Sequence, residues 1–350
     1  MSILQNGTPD ADSQIHFLTF KTFIGDPDLE NRRERVLTYT ELEQAGTREN
    51  KYAGDKWGGK YLRAPDSYWT ILEKGKDKLV RLGDIAEVRR GFTTGANEFF
   101  YLDDERIQEW NIESEYLKPV IKSPRECKSI RVDPSQLQFK LFVCHADKAA
   151  LAGTAALEYI KWGELQGFHQ RPSCKGRPRW WDLGEQPAFD WLILRFRDKR
   201  NWTPINEKPS LLAGDVVFTA TLHNRDAIQS ANAVANSTLA VLVSEIYGRV
   251  NLGDGLLTTY GPDILSFDFI SPDWIDAQSG ESLRQAFEPM KQRPVLSIFD
   301  EILQPDRRAL DATIFDALNL TQGERDGVYE AVVNLVESRL RKARSLKGKG

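Results

Sequence analysis

The sequence predicts an α+β fold, in which a mixed sheet with inserted helices is followed by a mostly helical C-terminal domain. Short β-branched and aromatic runs are typical of strands, and they occur at 98–102, 140–144, 192–196, 216–221 and 264–270. Helical patterns at 149–166 and 233–247 lie between them at irregular intervals, which differs from a regular strand–helix repeat. From Asp273 onward, apolar residues recur at a spacing of three or four, as in packed helices.

These patterns divide the chain into three predicted parts. Residues 1–66 are polar, are interrupted by Gly and Pro, and are interpreted as an N-terminal connecting segment with one short helix at 38–45, capped by Thr38 or Thr40. Residues 67–272 form the mixed-sheet domain, and residues 273–350 form the helical domain. The last helix is expected to begin at a capping box made by Thr321 and Glu324. Asn236 or Ser237 is expected to cap the helix that follows it.

Composition excludes several classes of protein. The chain has 350 residues, 41% hydrophobic and 28% charged, which is ordinary for a folded protein. No apolar run is long enough to span a membrane, and the polar start does not resemble a secretory signal. Three cysteines without a C-x-x-C pair predict neither a disulfide framework nor a zinc site. We therefore expect a protein of the reducing cytoplasm.

Basic charge is concentrated locally in a chain whose formal net charge is −4. The window from His169 to Asn201 holds eight basic and four acidic residues, and the last twelve residues hold six basic residues and no acid. A phosphate backbone responds to a local basic face rather than to the net charge of the chain. Nucleic-acid binding is therefore compatible with the acidic total.

The first candidate motif is RRGFTTGAN, from Arg89 to Asn97. Its glycines allow close approach of the backbone to another surface, and its Thr, Asn and Arg side chains are suited to phosphates and base edges. A plain β-turn with surface arginines would give the same pattern. The motif is thus a candidate DNA contact, with the turn as the alternative.

The second candidate motif is FHQRPSCKGRPRWW, from Phe168 to Trp181. Its basic residues could neutralise phosphates, its aromatic rings could stack on bases or support the loop, and its two prolines stiffen it. The alternative is a basic surface loop whose Trp180 and Trp181 belong to the core. A weaker third motif, TATLHNR from Thr219 to Arg225, follows a strand-like run and could present side chains at the end of that strand.

Other catalytic signatures are missing from the sequence. It has no G-x-G-x-x-G, no Walker A motif, no H-E-x-x-H and no G-x-S-x-G. The four histidines are scattered along the chain, so neither a catalytic group nor a metal site is predicted.

Several ordered segments of residues 57–350 resemble one known family. They are WGGKYLRAP, RLGDIAEVRRGFTTGANEFFYL, EYLKPVIKSPRE, KGRPRWWDL, ANSTLAVLVSEIYGRVNLGDGLL and PDRRALDATIFDALNLTQGERDGVYEAVVNLVESRLRKA. Together they are similar to the C-terminal target-recognition region of type IIG-like N6-adenine DNA methyltransferases. The element LGDIAEVRRGFTTG is also similar to the recognition domains of type I restriction-modification specificity subunits.

The resemblance implies a DNA target-recognition domain at 67–272 that serves an adenine-specific methyltransferase in bacterial defence. The family's Asn/Asp-Pro-Pro-Tyr/Phe motif and S-adenosylmethionine loop have no counterpart here, so the chain is expected to be a fragment or a separate recognition subunit. The expected partners are double-stranded DNA and a methyltransferase catalytic domain or subunit that would hold S-adenosylmethionine, with no membrane. The predicted DNA-binding residues are Arg89, Arg90, Thr93, Thr94, Asn97, Arg171, Lys175, Arg177, Arg179, Thr221, Asn224 and Arg225.

Two other functions remain as alternatives. The acidic net charge and the helical end also suit a non-enzymatic protein-interaction subunit of a restriction-modification or phage-defence complex. The second alternative is a nuclease-linked restriction subunit, which would need a P-D…D/E-x-K cleavage motif. Neither Asp198-Lys199 nor Asp147-Lys148 supplies it.

Overall fold

The computed structural model describes residues 10–20, 32–48, 50–52, 54–208, 211–250 and 255–347. The chain divides into two compact units, Met1–Trp69 and Thr70–Gly350. In the described ranges no helix is both long and apolar enough to cross a membrane. The three-part division drawn from the sequence stays a prediction.

The first unit contains strands where the sequence predicts connecting structure. Its elements are β1 (Gln14–Phe20), β2 (Arg32–Thr38), α1 (Tyr39–Gly46), β3 (Thr47–Arg48), β4 (Lys51–Tyr52) and α2 (Trp57–Lys60). Strands β1 and β2 pair antiparallel, from Gln14 opposite Thr38 to Phe20 opposite Arg32. The predicted short helix is confirmed as α1. It begins at a capping box in which Thr38 Oγ1 accepts from the Glu41 amide and the Glu41 carboxylate accepts from the Thr38 amide.

Helix α3 (Asp66–Lys74) contains the boundary between the units, and the second unit holds the remaining strands. These are β5 (Leu79–Arg81), β6 (Ala86–Arg90), β7 (Tyr101–Leu102), β8 (Leu117–Ile121), β9 (Lys140–Phe142), β10 (Trp191–Leu194), β11 (Phe196–Arg197), β12 (Leu212–Ala213), β13 (Val217–Leu222), β14 (Arg249–Val250), β15 (Leu257–Thr258) and β16 (Asp268–Ile270). They form sheets in the orders β10-β13-β6, β12-β8-β9-β7, β11-β15-β14 and β16-β5.

The first helices of the second unit lie between these strands in sequence, and the described elements after β16 are all helices. They are α4 (Leu82–Ile85), α5 (Asn97–Phe100), α6 (Asp104–Trp110), α7 (Ala155–Leu165), α8 (Pro172–Lys175), α9 (Ile228–Ala235), α10 (Thr238–Tyr247), α11 (Gly261–Leu265), α12 (Pro272–Lys291), α13 (Ile298–Glu301), α14 (Pro305–Ala317) and α15 (Gln322–Lys347). Short 3₁₀ helices occur at Ser114–Tyr116, Pro124–Glu126, Pro134–Gln136 and Phe168–Gln170. Because β12 and β8 are parallel while the other pairs in their sheet are antiparallel, the predicted mixed α+β class is confirmed.

The predicted strand at 98–102 is wrong for most of its length. The Ala96 carbonyl accepts from the amides of Phe99 and Phe100, so the chain makes the helical turn α5 and only Tyr101 and Leu102 are extended. Successive side chains of a strand point to opposite faces, whereas Phe99 and Phe100 are both fully buried with ring centroids 4.9 Å apart. The helical turn lets both rings enter one core. The other four predicted runs each contain a strand, although α11 covers the start of 264–270.

Two predicted helix starts are confirmed. The region 233–247 holds two helices rather than one, and Ser237 caps the second by accepting from the amide of Ala240. At the start of α15, the Thr321 amide donates to Glu324 Oε2 at 2.6 Å and the Glu324 amide donates to Thr321 Oγ1 at 3.4 Å. The dipeptide Asp254-Gly255 also predicts a turn, and this turn lies partly outside the described residues.

A buried ion pair joins the last helix, α15, to α10 within the second unit. Arg339 on α15 and Glu245 on α10 are both nearly inaccessible to solvent, with Nη2 2.9 Å from Oε1. The same guanidinium donates to the carbonyl oxygens of Asp198 and Gly255. Such a pair is tolerated in a core only when hydrogen bonds satisfy both charges, as they do here.

Candidate DNA interface

The three-stranded sheet β10-β13-β6 positions the first motif. Strand β6 forms one edge of this sheet, and Arg89 and Arg90 lie opposite Thr219 and Phe218 of β13. Beyond Arg90, the Gly91 amide donates to the Val217 carbonyl at 3.2 Å. The first motif therefore leaves the sheet at the end where Arg90 lies.

The chain can leave the sheet at this point only because residue 91 is a glycine, since a side chain would collide with the neighbouring backbone. A Cβ at Gly91 would lie 2.1 Å from the carbonyl oxygen of Gly214, a distance that no real contact allows. The next residue, Phe92, donates its amide to the Ala213 carbonyl at 2.8 Å. Two backbones thus run in close contact, and the loop 91–97 begins from a fixed base.

The second motif packs directly against this loop. Arg177 donates from Nη2 to the carbonyl oxygens of Thr93 and Thr94, at 2.9 Å in both cases, and from Nη1 to the carbonyl oxygen of Trp180 at 3.2 Å. The Cys174 thiol donates to the Thr94 carbonyl at 3.6 Å. Burial raises the pKa of the Cys174 thiol, which keeps the donating proton in place.

Gly95 is the second glycine that the arrangement requires. Its φ is +76°, in the left-handed region, and a Cβ would lie 2.5 Å from Cβ of Ser173. The two loops therefore touch at a position that admits only glycine. Thr94 is buried and its hydroxyl donates to Oδ1 of Asn97, whereas Thr93 and Asn97 are exposed.

Two of the predicted DNA-binding residues, Thr94 and Arg177, make hydrogen bonds within the protein. The sequence places Thr94 and Arg177 at the DNA, but the hydroxyl of Thr94 is turned to Asn97 and the guanidinium of Arg177 to backbone carbonyls. Both loops need internal donors, because their carbonyl groups have no strand or helix to bind them. Motif composition does not distinguish an arginine that binds backbone from one that binds phosphate.

Aromatic residues of the second motif are packed in the core and support the loop 171–179. Trp180 and Trp181 are both buried, and the rings of Trp180 and Phe99 have centroids 4.6 Å apart. Phe168 packs on Trp162 at 5.7 Å. These rings belong to the core, as the structural alternative supposes, and are not available to stack on bases.

Four further arginines of the prediction lie in exposed or half-exposed ion pairs. The closest N–O distances are 2.6 Å for Arg89–Glu87, 3.1 Å for Arg90–Asp215, 2.8 Å for Arg171–Glu98 and 2.6 Å for Arg179–Asp182. The hydrogen bond from Arg171 lowers the pKa of Glu98. Exposed pairs of this kind contribute about 0–1 kcal/mol, so Arg89, Arg90 and Arg171 can exchange a carboxylate for a phosphate at little cost. Asp182, the partner of Arg179, is only 15% exposed.

Lys175 differs from these arginines. It is exposed at the end of α8 and has no ion-pair partner in the part of the chain that the structure describes. The sequence motifs did not single out Glu98 and Asp182, the carboxylate partners of Arg171 and Arg179.

The third motif lies toward the other end of the sheet. Thr221 is opposite Glu87, three residues from the Arg90 end, which corresponds to about 10 Å. Thr221 Oγ1 donates to the Ala188 carbonyl at 3.1 Å. Asn224 donates to Asp273 at 2.6 Å, and Arg225 pairs with the buried Asp190. The structure thus joins the first two motifs. The third begins beside the first, at Thr219 opposite Arg89, but its predicted contacts Thr221, Asn224 and Arg225 lie farther along.

Comparison with known proteins places the chain in a family. The protein-family model described as the C-terminal domain of the type II methyltransferase M.Eco57I matches residues 55–303. The chain belongs to this family. The matched range includes all three motifs, and it confirms the resemblance found in the sequence at the level of a type II methyltransferase C-terminal domain.

Two proteins similar to this member of the M.Eco57I C-terminal domain family extend the comparison. The type II methyltransferase M.AccI of Acinetobacter calcoaceticus is 29% identical over 123 residues, which cover 33% of this chain and 22% of that protein. The crystal structure of the type IIG restriction endonuclease BpuSI shares the fold, with a TM-score of 0.59 at 13% identity, over 94% of this chain and 40% of that one. The chain therefore spans less than half the length of either protein.

Proposed function

We propose that this M.Eco57I C-terminal domain family member binds double-stranded DNA and supplies sequence recognition for a site-specific adenine-N6 methyltransferase of a restriction-modification system. The loops 91–97 and 171–179, which we call the paired loops, would contact the DNA. A catalytic domain or subunit that binds S-adenosylmethionine would carry out the methylation. The cytoplasmic location expected from the sequence belongs to the same proposal.

One observation carries this proposal. The paired loops are fixed to each other by Arg177, Cys174 and Gly95, while Thr93, Asn97 and Lys175 remain exposed around them. A rigid loop pair loses little conformational entropy on binding, and exposed Thr and Asn side chains can bond base edges. The arginines in weak surface pairs would provide salt-dependent affinity for phosphates.

The test is DNA binding by the full chain, measured by fluorescence anisotropy with labelled duplexes over a salt series. A random duplex library is enriched on the immobilised chain and sequenced. We expect linear loss of log affinity with log salt and the enrichment of one short sequence. Absence of binding at about 50 mM salt would contradict the proposal and would favour the protein-interaction subunit that the net charge of −4 also permits.

The adenine-N6 part of the proposal rests on the family resemblance and needs its own measurement. N6-methyladenine is mapped in the genome of the source cell with and without the gene for this chain. We expect methylation at the enriched sequence to disappear when the gene is deleted. Unchanged methylation at that sequence would contradict a role in adenine modification and leave DNA binding itself intact.

A further inference from the structure

A cluster of cations and aromatic rings lies outside all three motifs. The guanidinium carbons of Arg195 and Arg249 lie 5.1 Å and 4.8 Å from the centroid of the Tyr260 ring, and Arg195 also lies 5.1 Å from the centroid of Phe196. Phe196 is 38% exposed, whereas the other phenylalanines whose burial is described are buried or half-buried. We call these four residues the arginine–tyrosine cluster.

The backbone fixes this cluster in the small sheet β11-β15-β14. Phe196 and Arg249 lie on either side of Thr258, each directly opposite it in an antiparallel pair. The Arg195 carbonyl accepts from the Thr259 amide at 3.0 Å. The two arginines are therefore held near each other by strand pairing and not only by their contacts with Tyr260.

The cluster lies at the same end of the three-stranded sheet as the paired loops. Strand β10 ends at Leu194, opposite Val217 of β13, and the neighbouring residue Phe218 lies opposite Arg90 of β6. Arg195 follows Leu194 directly. Neighbouring strands are about 4.8 Å apart, so the ends of β6 and β10 are separated by roughly 10 Å.

A second contact places Tyr260 at this end. Its neighbour Gly261 approaches Phe218, since a Cβ at Gly261 would lie 3.6 Å from Cε1 of the phenylalanine ring. Phe218 is the residue that lies between Arg90 and β10 in the sheet. The arginine–tyrosine cluster and Arg90 thus lie at the same end of the three-stranded sheet.

Among the residues that the structure describes, the charges of the cluster are not balanced. Asp263 binds Arg249 through both carboxylate oxygens, each at 3.1 Å, and is 1% exposed. Arg195 has no carboxylate partner within the described ranges, and its buried Nε lacks a hydrogen-bond acceptor there. Two like charges beside one ring repel each other, and the single buried carboxylate compensates only one of them. An anion at the surface would relieve this imbalance.

We propose that Arg195 and Arg249 bind phosphate groups of the same DNA duplex that the paired loops contact, and that they extend the interface across the end of the sheet. This inference rests on the proposed function. Duplex DNA carries one charge per about 1.7 Å of its axis, so positions roughly 10 Å apart can meet different phosphates of one duplex. The planar guanidinium groups, held over Tyr260, present their N–H donors in a fixed orientation, which suits bidentate binding of phosphate.

The experiment compares salt slopes, the change of log affinity with log salt, in the full chain. We expect Arg195→Ala and Arg195→Gln each to reduce the slope by about 0.9, the value for one phosphate contact. Arg195→Lys keeps the charge and should retain the slope. Arg284→Ala is the matched control, because Arg284 is 41% exposed, lies in ion pairs on α12 and should leave the slope unchanged.

Each outcome has a distinct meaning. A wild-type chain that does not bind DNA refutes the proposed function itself. A wild-type chain that binds DNA, with Arg195→Ala and Arg195→Gln slopes equal to that of Arg284→Ala, overturns the arginine–tyrosine cluster as a phosphate site and leaves the paired loops as the interface. Arg249→Lys gives a second measurement: because it keeps an ion pair for the buried Asp263, we expect a retained slope with affinity lowered severalfold. Unchanged affinity would count against bidentate binding.

Discussion

The guanidinium of Arg177 donates to the carbonyl oxygen of Thr93 at 2.9 Å, across 84 residues of sequence. Hydrogen bonds of a charged donor contribute about 1.5–3 kcal/mol each, whereas an exposed ion pair contributes about 0–1 kcal/mol. Arg177 is therefore expected to stay with the paired loops, while under the proposed function Arg89 and Arg171 would exchange their carboxylates for phosphates. In the proposed interface, Arg177 orders the loop 91–97 and the other arginines supply positive charge.

Arg177→Ala should lower sequence discrimination without changing the number of phosphate contacts. The carbonyl oxygens of Thr93 and Thr94 lose their donor, so the loop 91–97 adopts several conformations. We expect the ratio of specific to non-specific affinity to fall about tenfold or more, equivalent to about 1.4 kcal/mol, while the salt slope stays constant. Lys175→Ala should do the opposite and reduce the slope by about 0.9. A reduced slope for Arg177→Ala would show that this side chain binds phosphate.

Glu98→Gln should tighten DNA binding. The carboxylate of Glu98 occupies Arg171, 2.8 Å from Nη1, and its negative charge opposes an approaching phosphate. Removing it frees the arginine, with an expected gain of about two- to fivefold in affinity at low salt. Glu158→Gln is the matched control, because Glu158 is equally exposed at 64% and also pairs with a cation, Lys161. Equal affinities for the two variants would place Arg171 away from the DNA.

Gly95→Ala should destabilise the paired loops more than Gly184→Ala does. Both glycines have a positive φ, of +76° and +73°, where alanine costs about 1–2 kcal/mol. A Cβ meets Ser173 at 2.5 Å in the first case and nothing within 4 Å in the second. The difference in free energy of unfolding, measured by urea denaturation, reports the contact between the loops. DNA affinity should fall for Gly95→Ala, and identical behaviour of the two variants would contradict close packing of the loops.

Asp306 should contribute to stability at neutral pH and lose that contribution in acid. Hydrogen bonds from Arg293, at 2.6 and 2.8 Å, lower the pKa of Asp306. A group whose pKa is lower in the folded state stabilises above its unfolded value of about 3.9, and the contribution is lost as pH falls through the folded value. Asp306→Asn should therefore melt earlier at pH 7 and show a shallower decline in Tm below about pH 4.

The control for this titration is Asp104→Asn, since Asp104 is 84% exposed and lies 3.7 Å from Lys140. Its melting curve should follow that of the wild-type chain throughout. If Asp306→Asn kept the full acid sensitivity of the wild-type chain, other carboxylates such as Glu301, whose pKa is lowered against the effect of burial by Arg293 and Arg307, would carry the pH dependence.

Local chemistry explains which elements the sequence predicts well. The caps at Thr38, Ser237 and Thr321 join a side chain to an amide within three residues, so a short pattern contains both partners. The run Glu98–Leu102 has the composition of a strand but forms a helical turn, because burial of Phe99 and Phe100 in one aromatic core outweighs local propensity. Strand β2 has the charged sequence RRERVLT, which lacks the usual strand composition, whereas β1, with the sequence QIHFLTF, carried a usable strand signal of Ile, Phe and Thr.

The sequence by itself determined the family, the α+β class, the helical end and the two motifs that meet as the paired loops, because composition and spacing encode local structure and binding chemistry. Only the tertiary structure decided which partner each basic side chain contacts. It turned Arg177 inward to the backbone of Thr93 and Thr94, placed Thr221 about 10 Å along the sheet, and brought Arg195 and Arg249 over Tyr260 at the end where Arg90 lies. A long charged side chain binds residues that are distant in sequence. Strand pairing determines which of those residues lie within its reach.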